Sequence, residues 1–120
     1  MEIVICRAEL HGTPTREQYS AFHAGMEQLG FGQTITRDGR DFRLPTGEYL
    51  GANLSTSLTL LALKITHLAF QITGCPCKLT LAPVDVANIY FLCLEEVSSY
   101  ASELGIGISA FGSFAASTGL

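Results

Sequence analysis

His11, the arginines at 7, 37, 40 and 43, and Tyr49 are the side chains best suited to chemistry on a phosphate-bearing molecule. His11 lies just past an alternating apolar run. An unperturbed imidazole titrates near about pH 6.5, so His11 is the candidate acid–base group. Arg37, Arg40 and Arg43 surround Asp38-Gly39, and guanidinium groups grip phosphate oxygens, bidentately where geometry permits. Arg7 joins them if its strand face is open, and Tyr49 can stack on a base or donate its hydroxyl. The same residues have a plainer reading. Asp38 and Asp41 sit among the arginines, which suits a solvated, self-paired hairpin, and His11 suits a turn histidine bonded to nearby backbone. His23, four residues from both Tyr19 and Glu27, reads as part of a surface pair on a helix.

The four cysteines, Cys6, Cys75, Cys77 and Cys93, read as reduced thiols used as small hydrophobes. Cys75-Pro76-Cys77 leaves one residue between thiols, whereas zinc ligands are spaced by two or more, and no second Cys/His pair lies nearby. The expectation is therefore no metal and no other cofactor. Glu48-Tyr49 and Glu95-Glu96 read as surface, and adjacent glutamates on a helix point apart and make no catalytic dyad.

Of 120 residues, 48% are apolar and 15% charged, well under the usual charged share of about 25%. A globular chain with so little charge has apolar area for a second subunit to cover. The net charge of −4, from 7 Lys+Arg against 11 Asp+Glu, argues against indiscriminate nucleic-acid or membrane binding. No basic and apolar leader opens the sequence, which fits a cytoplasmic protein with free thiols.

The elements that must position these groups follow from periodicity. Residues 2–10 alternate as a half-buried strand with Val4, Cys6, Ala8 and Leu10 inward. Thr15 and Gln18 form a capping box for a helix whose stripe is Tyr19, Phe22, Met26 and Leu29, with Gly30 beyond its end. Residues 31–37 and 40–44 flank Asp38-Gly39 as a hairpin, which Pro45 ends. The glycine-rich run 46–53 then crosses to a second helix over 56–73. That helix carries Leu58, Leu61, Ile65, Leu68 and Ile72 on one side, and Leu60, Leu63 and Phe70 elsewhere. It is too short and interrupted to span a bilayer. Residues 77–82 read as a last strand, and Asp85 caps a third helix running to Leu104. The order strand, helix, strand, strand, helix, strand gives an α+β, ferredoxin-like βαββαβ core with an antiparallel sheet over 1–82. An added C-terminal helix occupies 83–104, packed on the core or a second subunit, and a Gly/Ala/Ser-rich tail occupies 105–120.

Arg7, Glu9-Leu10-His11, Tyr19, His23, Met26-Glu27, Gly30-Phe31, Thr34-Ile35 and the run from Leu44 to Tyr49 resemble a small bacterial family that includes the GhoS-type, type V antitoxins. Thr73-Gly74 fits the end of that family's second helix. The resemblance spans residues 1–82. It implies a ferredoxin-like fold, a homodimer, and RNA binding with endoribonuclease activity. In such a reaction His11 would move the proton, and Arg7, Arg37, Arg40, Arg43 and Tyr49 would hold the RNA. Where metal-dependent nucleases of related fold place an aspartate after the first strand, this chain has Leu10 and His11, so any cleavage would be metal-independent. The expectation is a small oligomeric, antitoxin-like or mobile-element regulator that binds RNA. The alternative is a non-catalytic interaction protein that covers a protein partner's surface.

Overall fold

The structure, a computed structural model, describes residues 2–53 and 57–97. It is a mixed α+β arrangement with an antiparallel sheet and two helices, and the chain divides into two compact units. The first comprises residues 1–33 and 45–90, the second 34–44 with the segment from Phe91 onward.

In the first unit a four-stranded sheet is built from β1 (Glu2–Glu9), β2 (Phe31–Gly32), β5 (Glu48–Asn53) and β6 (Lys78–Pro83), in the order β2-β5-β1-β6. Each neighbouring pair is antiparallel. The alternation of β1 is realised: Val4, Cys6, Ala8 and Leu10 are buried, while Arg7 and Glu9 are exposed. Helix α1 (Arg16–Gln28) begins at the expected capping box. The Gln18 amide donates to Thr15 Oγ1 at 3.1 Å, and the Thr15 amide donates to Gln18 Oε1 at 2.8 Å. Helix α2 (Leu58–Thr73) starts at Ser57 and closes at Gly74, whose left-handed φ of 77° suits a residue without a Cβ. The core joins the inner face of β1 to Phe22 and Met26 of α1, Leu61, Ile65 and Ala69 of α2, and Phe31 and Tyr49.

Two expectations need correction. Residues 46–53 were expected to cross the molecule as loop, yet Glu48–Asn53 is a central strand between β1 and β2. Of the segment 31–37, only Phe31–Gly32 joins that sheet. The two strands approach closely at Gly51: a Cβ there would strike the Gly30 carbonyl oxygen and lie 2.7 Å from the Phe31 ring. Glycine thus marks a close approach of two strands.

In the second unit, β3 (Thr34–Arg37) and β4 (Arg40–Arg43) form a separate hairpin. Asp38 and Gly39 both take positive φ, 55° and 75°, as a two-residue turn of the primed type requires. The third helix, expected from Asp85, is the second correction. Asp85 caps only a single 3-10 turn, Val86–Asn88, in the first unit. Over residues 91–97 the chain is irregular rather than helical, with Cys93 at a left-handed φ of 61°. Residues 95–97 pair with β4: the Arg43 amide donates to the Glu95 carbonyl and the Val97 amide to the Asp41 carbonyl, each at 2.8 Å. An open strand edge with charged partners for Glu95 and Glu96 outcompetes the helical spacing of the apolar residues. The remainder of that expected helix, 98–104, and the tail 105–120 lie outside the described residues.

Candidate functional site

The residues proposed to hold phosphate are divided between the two units. In the hairpin, the register sets Arg37 opposite Arg40 and Thr34 opposite Arg43. Side chains alternate across a strand, so Arg37 and Arg40 share one face with Ile35 and Phe42, while Arg43 belongs to the other. The three arginines therefore do not make one patch.

Each of them also has a partner. Arg40 grips Glu96 with two nitrogens, Nε at 3.2 Å from Oε2 and Nη2 at 3.0 Å from Oε1. Arg43 Nε lies 3.8 Å from Glu95 Oε1, and the Arg37 guanidinium sits 5.0 Å from the centre of the Phe91 ring, a cation–π distance. Phe91 in turn packs on Phe42 at 5.2 Å. Asp41, expected to answer the arginines, instead accepts a hydrogen bond from the Thr36 hydroxyl. The carboxylates that neutralise Arg40 and Arg43 come from Glu95-Glu96, a pair expected only to face solvent on a helix.

In the first unit, Arg7 lies on the sheet face turned away from α1 and α2, directly across from Glu48. Its Nη1 is 3.4 Å from Glu48 Oε2. The same face carries Ile3, Ile5, Leu50 and Ala52 at one end and Arg7, Glu48, Glu9, Lys78 and Thr80 at the other. It is thus apolar at one end and charge-balanced at the other.

Tyr49 contradicts its assigned role. It points inward from the central strand β5 and is 1% exposed, so no base can stack on it. Its hydroxyl lies 2.7 Å from His23 Nδ1, and its ring meets Phe22 edge-on at 5.9 Å. Burial raises the Tyr49 phenol above its ordinary range and lowers the His23 imidazole below its own. The phenol therefore keeps its proton and the imidazole stays neutral, so the two share one hydrogen bond between uncharged groups, and the imidazole ring stacks on Tyr19 at 6.0 Å. The nearness of His23 to Tyr19 was legible from the four-residue spacing, but the expected surface pair is instead half-buried. The bond to Tyr49 was not, because β5 itself was read as loop.

His11 is exposed just after β1 and lines an open depression of about 490 Å³ together with Glu9, Cys77 and Lys78. Among the described residues no three His, Cys, Asp or Glu side chains gather as metal ligands. The cysteines are unbridged. Burial, followed by the neighbouring Cys77, pushes the Cys6 thiol up to about 12, which keeps it protonated and inert.

The helical layer contributes one more surface. Leu60, Leu63 and Phe70 of α2 are 47%, 61% and 54% exposed, with Lys64 and His67 exposed between them. Among the described residues no helix is long and apolar enough to cross a membrane.

Comparison of the chain with protein-family models, curated proteins and solved structures finds no match.

Proposed function

We propose that this chain is a non-catalytic interaction protein that acts by covering the surface of a protein partner. The observation that carries this reading is the commitment of Arg40 and Arg43 to Glu96 and Glu95. Cations already neutralised by carboxylates release few counterions on meeting phosphate, and counterion release is the main source of RNA affinity. The sheet order β2-β5-β1-β6, with α1 after β1 and α2 before β6, supports a ferredoxin-like core into which the β3–β4 hairpin is inserted. The partner face in this reading is the sheet surface away from the helices. Its apolar end supplies the desolvated centre of a contact, and its paired charges supply a rim. The resemblance to GhoS-type antitoxins supports a regulatory, antitoxin-like setting.

The test is purification of tagged chain from its native host at low and at high salt. A stoichiometric protein should stay bound at high salt, with no nucleic-acid absorbance, and should be lost with Ala82→Glu, an exposed position on that face. Bound RNA that washes off with salt would overturn the reading.

A second reading, RNA binding with metal-independent cleavage, is favoured by one observation: His11 is exposed on an open depression beside Lys78. It requires RNA cleavage in chelator that disappears in His11→Ala.

A further inference from the structure

We propose that the open edge of β6 takes up an extended segment of the protein partner, which adds a strand to the four-stranded sheet beneath one flank of α2. The inference rests on the protein partner of the reading above, but it uses the edge of the sheet rather than its face.

The direction of pairing on β6 follows from one bond. The Val84 amide donates to the Ile3 carbonyl at 2.9 Å, and the register continues with Ile5 opposite Ala82, Arg7 opposite Thr80 and Glu9 opposite Lys78. Bonded and non-bonded positions alternate along an antiparallel pair. Lys78, Thr80 and Ala82 therefore turn their backbone groups toward β1, while Leu79 and Leu81 turn theirs outward. Among the described residues nothing pairs with those outward groups. Such a row of donors and acceptors is a template for another extended backbone. The opposite edge of the sheet offers no comparable length, because β2 is only Phe31–Gly32.

The side chains around this edge define what the added strand must carry. Leu79 and Leu81 lie on the helix side of the sheet, packed on the core yet only half-buried. Above them, the Thr66 side chain of α2 hydrogen-bonds with the Cys77 thiol just before β6. Lys64, His67, Leu68 and Gln71 instead line the groove against α1. The flank of α2 over the β6 edge is thus the one that holds Thr66, with Ala62 one turn before it and Thr73 two turns after. All three are small and half-buried. Phe70, four residues on from Thr66, borders that flank and is 54% exposed. Large apolar side chains at alternate positions of an added strand would fill the space between these small residues and the two leucines.

Charge favours a foreign strand over a second copy of β6. Lys78 is exposed on the other face of the sheet, and the carboxylate opposite it, Glu9, belongs to β1 on the side away from the added strand. A carboxylate facing Lys78 from the added strand completes a cross-strand pair. Residues 76–84 contain no Asp or Glu, so a second β6 supplies none in any register.

Hydrogen exchange on the full chain, read by NMR, tests this with a capped synthetic peptide of about eight residues that alternates valine with threonine and glutamate. In the chain alone, the Leu79 and Leu81 amides should exchange at least about tenfold faster than those of Thr80 and Ala82. Saturating peptide should slow Leu79 and Leu81 about tenfold, and the same peptide N-methylated along its pairing edge should not. Lysine in place of its glutamate should weaken binding about threefold. Leu81→Pro removes only an outward N–H, so it should keep the fold by circular dichroism and lose the peptide. Protection of Leu79 and Leu81 in the dilute chain alone would overturn the proposal, since the edge would already be covered. Protection that rises with chain concentration would overturn it in favour of a second copy. Equal binding of the N-methylated peptide, or no slowing by either peptide, would also overturn it. These failures leave the sheet-face contact, tested by Ala82→Glu, standing; bound RNA would strike that reading without changing exchange at Leu79 and Leu81.

Discussion

In the unit of residues 1–33 and 45–90, Val4, Cys6, Phe22, Met26, Phe31, Tyr49 and Ile65 are all shut away from water around the inner face of one sheet. In the described part of the other unit, residues 34–44 and 91–97, Ile35 and Leu44 are buried, and what else joins its two segments is polar or lies near the surface. There are two backbone hydrogen bonds to β4, the arginine pairs of Glu95 and Glu96, and the rings of Phe42 and Phe91. The contrast explains why the arginines mislead. A short hairpin with little apolar area of its own can use its charges to hold a neighbouring segment in place. The cations that look available for phosphate in the sequence are part of how that unit is assembled.

Substitutions can break or sharpen this contrast. The largest effect belongs to the first unit: Phe22→Ala should cost about 3–5 kcal/mol in denaturant unfolding, because the ring is wholly buried. A loss under about 1 kcal/mol would mean the core is not the one described. Gly51→Ala comes next, at about 1–3 kcal/mol, since the new methyl group meets the Gly30 carbonyl and the Phe31 ring. A neutral result would show that β5 and β2 are not packed as closely as described.

The His23–Tyr49 bond makes the first unit sensitive to acid. Burial lowers the folded-state pKa of His23 below its ordinary value, so the unfolded chain takes up the proton first as pH falls. Its contribution to stability is full above about pH 6.5 and is lost as pH drops through the lower, folded-state pKa. His23→Gln should flatten that part of the stability–pH curve, and an unchanged slope would count against a buried neutral imidazole. Tyr49→Phe, which leaves Nδ1 without its hydrogen-bond partner, should cost about 1–2 kcal/mol.

The smallest effect belongs to the second unit. Arg40→Ala should cost no more than about 1 kcal/mol, since both partners are partly solvated. It should nonetheless speed hydrogen exchange at the Arg43 and Val97 amides, which bond the segment 95–97 to β4. Unchanged exchange would detach the ion pair from the pairing of the strands.

The regular elements of the first unit were legible because local signals agreed. The Thr15–Gln18 box, the stripe of α1, the alternation of β1, and Gly74 after α2 each match the place they take in the structure. Strand β5 was hidden because Gly47 and Gly51 look like loop residues. Here one is a turn at φ 88° and the other a site of close strand approach. The third helix was expected from apolar spacing, which cannot register the pull of an open hairpin edge with matching charges. The opposite facing of Arg40 and Arg43 was available from the sequence: three residues apart on a strand, they cannot share a face. Their partners at 95 and 96 were not, because nothing local links the hairpin to a segment more than fifty positions away.

The account rests on the arginines being committed to carboxylates, and the most direct test is the salt dependence of affinity for a fluorescent, mixed-sequence single-stranded RNA. Weak binding with a shallow slope of log K against log salt, unchanged in the Arg40→Ala/Arg43→Ala double variant, is the predicted result. Tight binding with a steep slope that the double variant abolishes would contradict it and return those residues to an RNA-binding role.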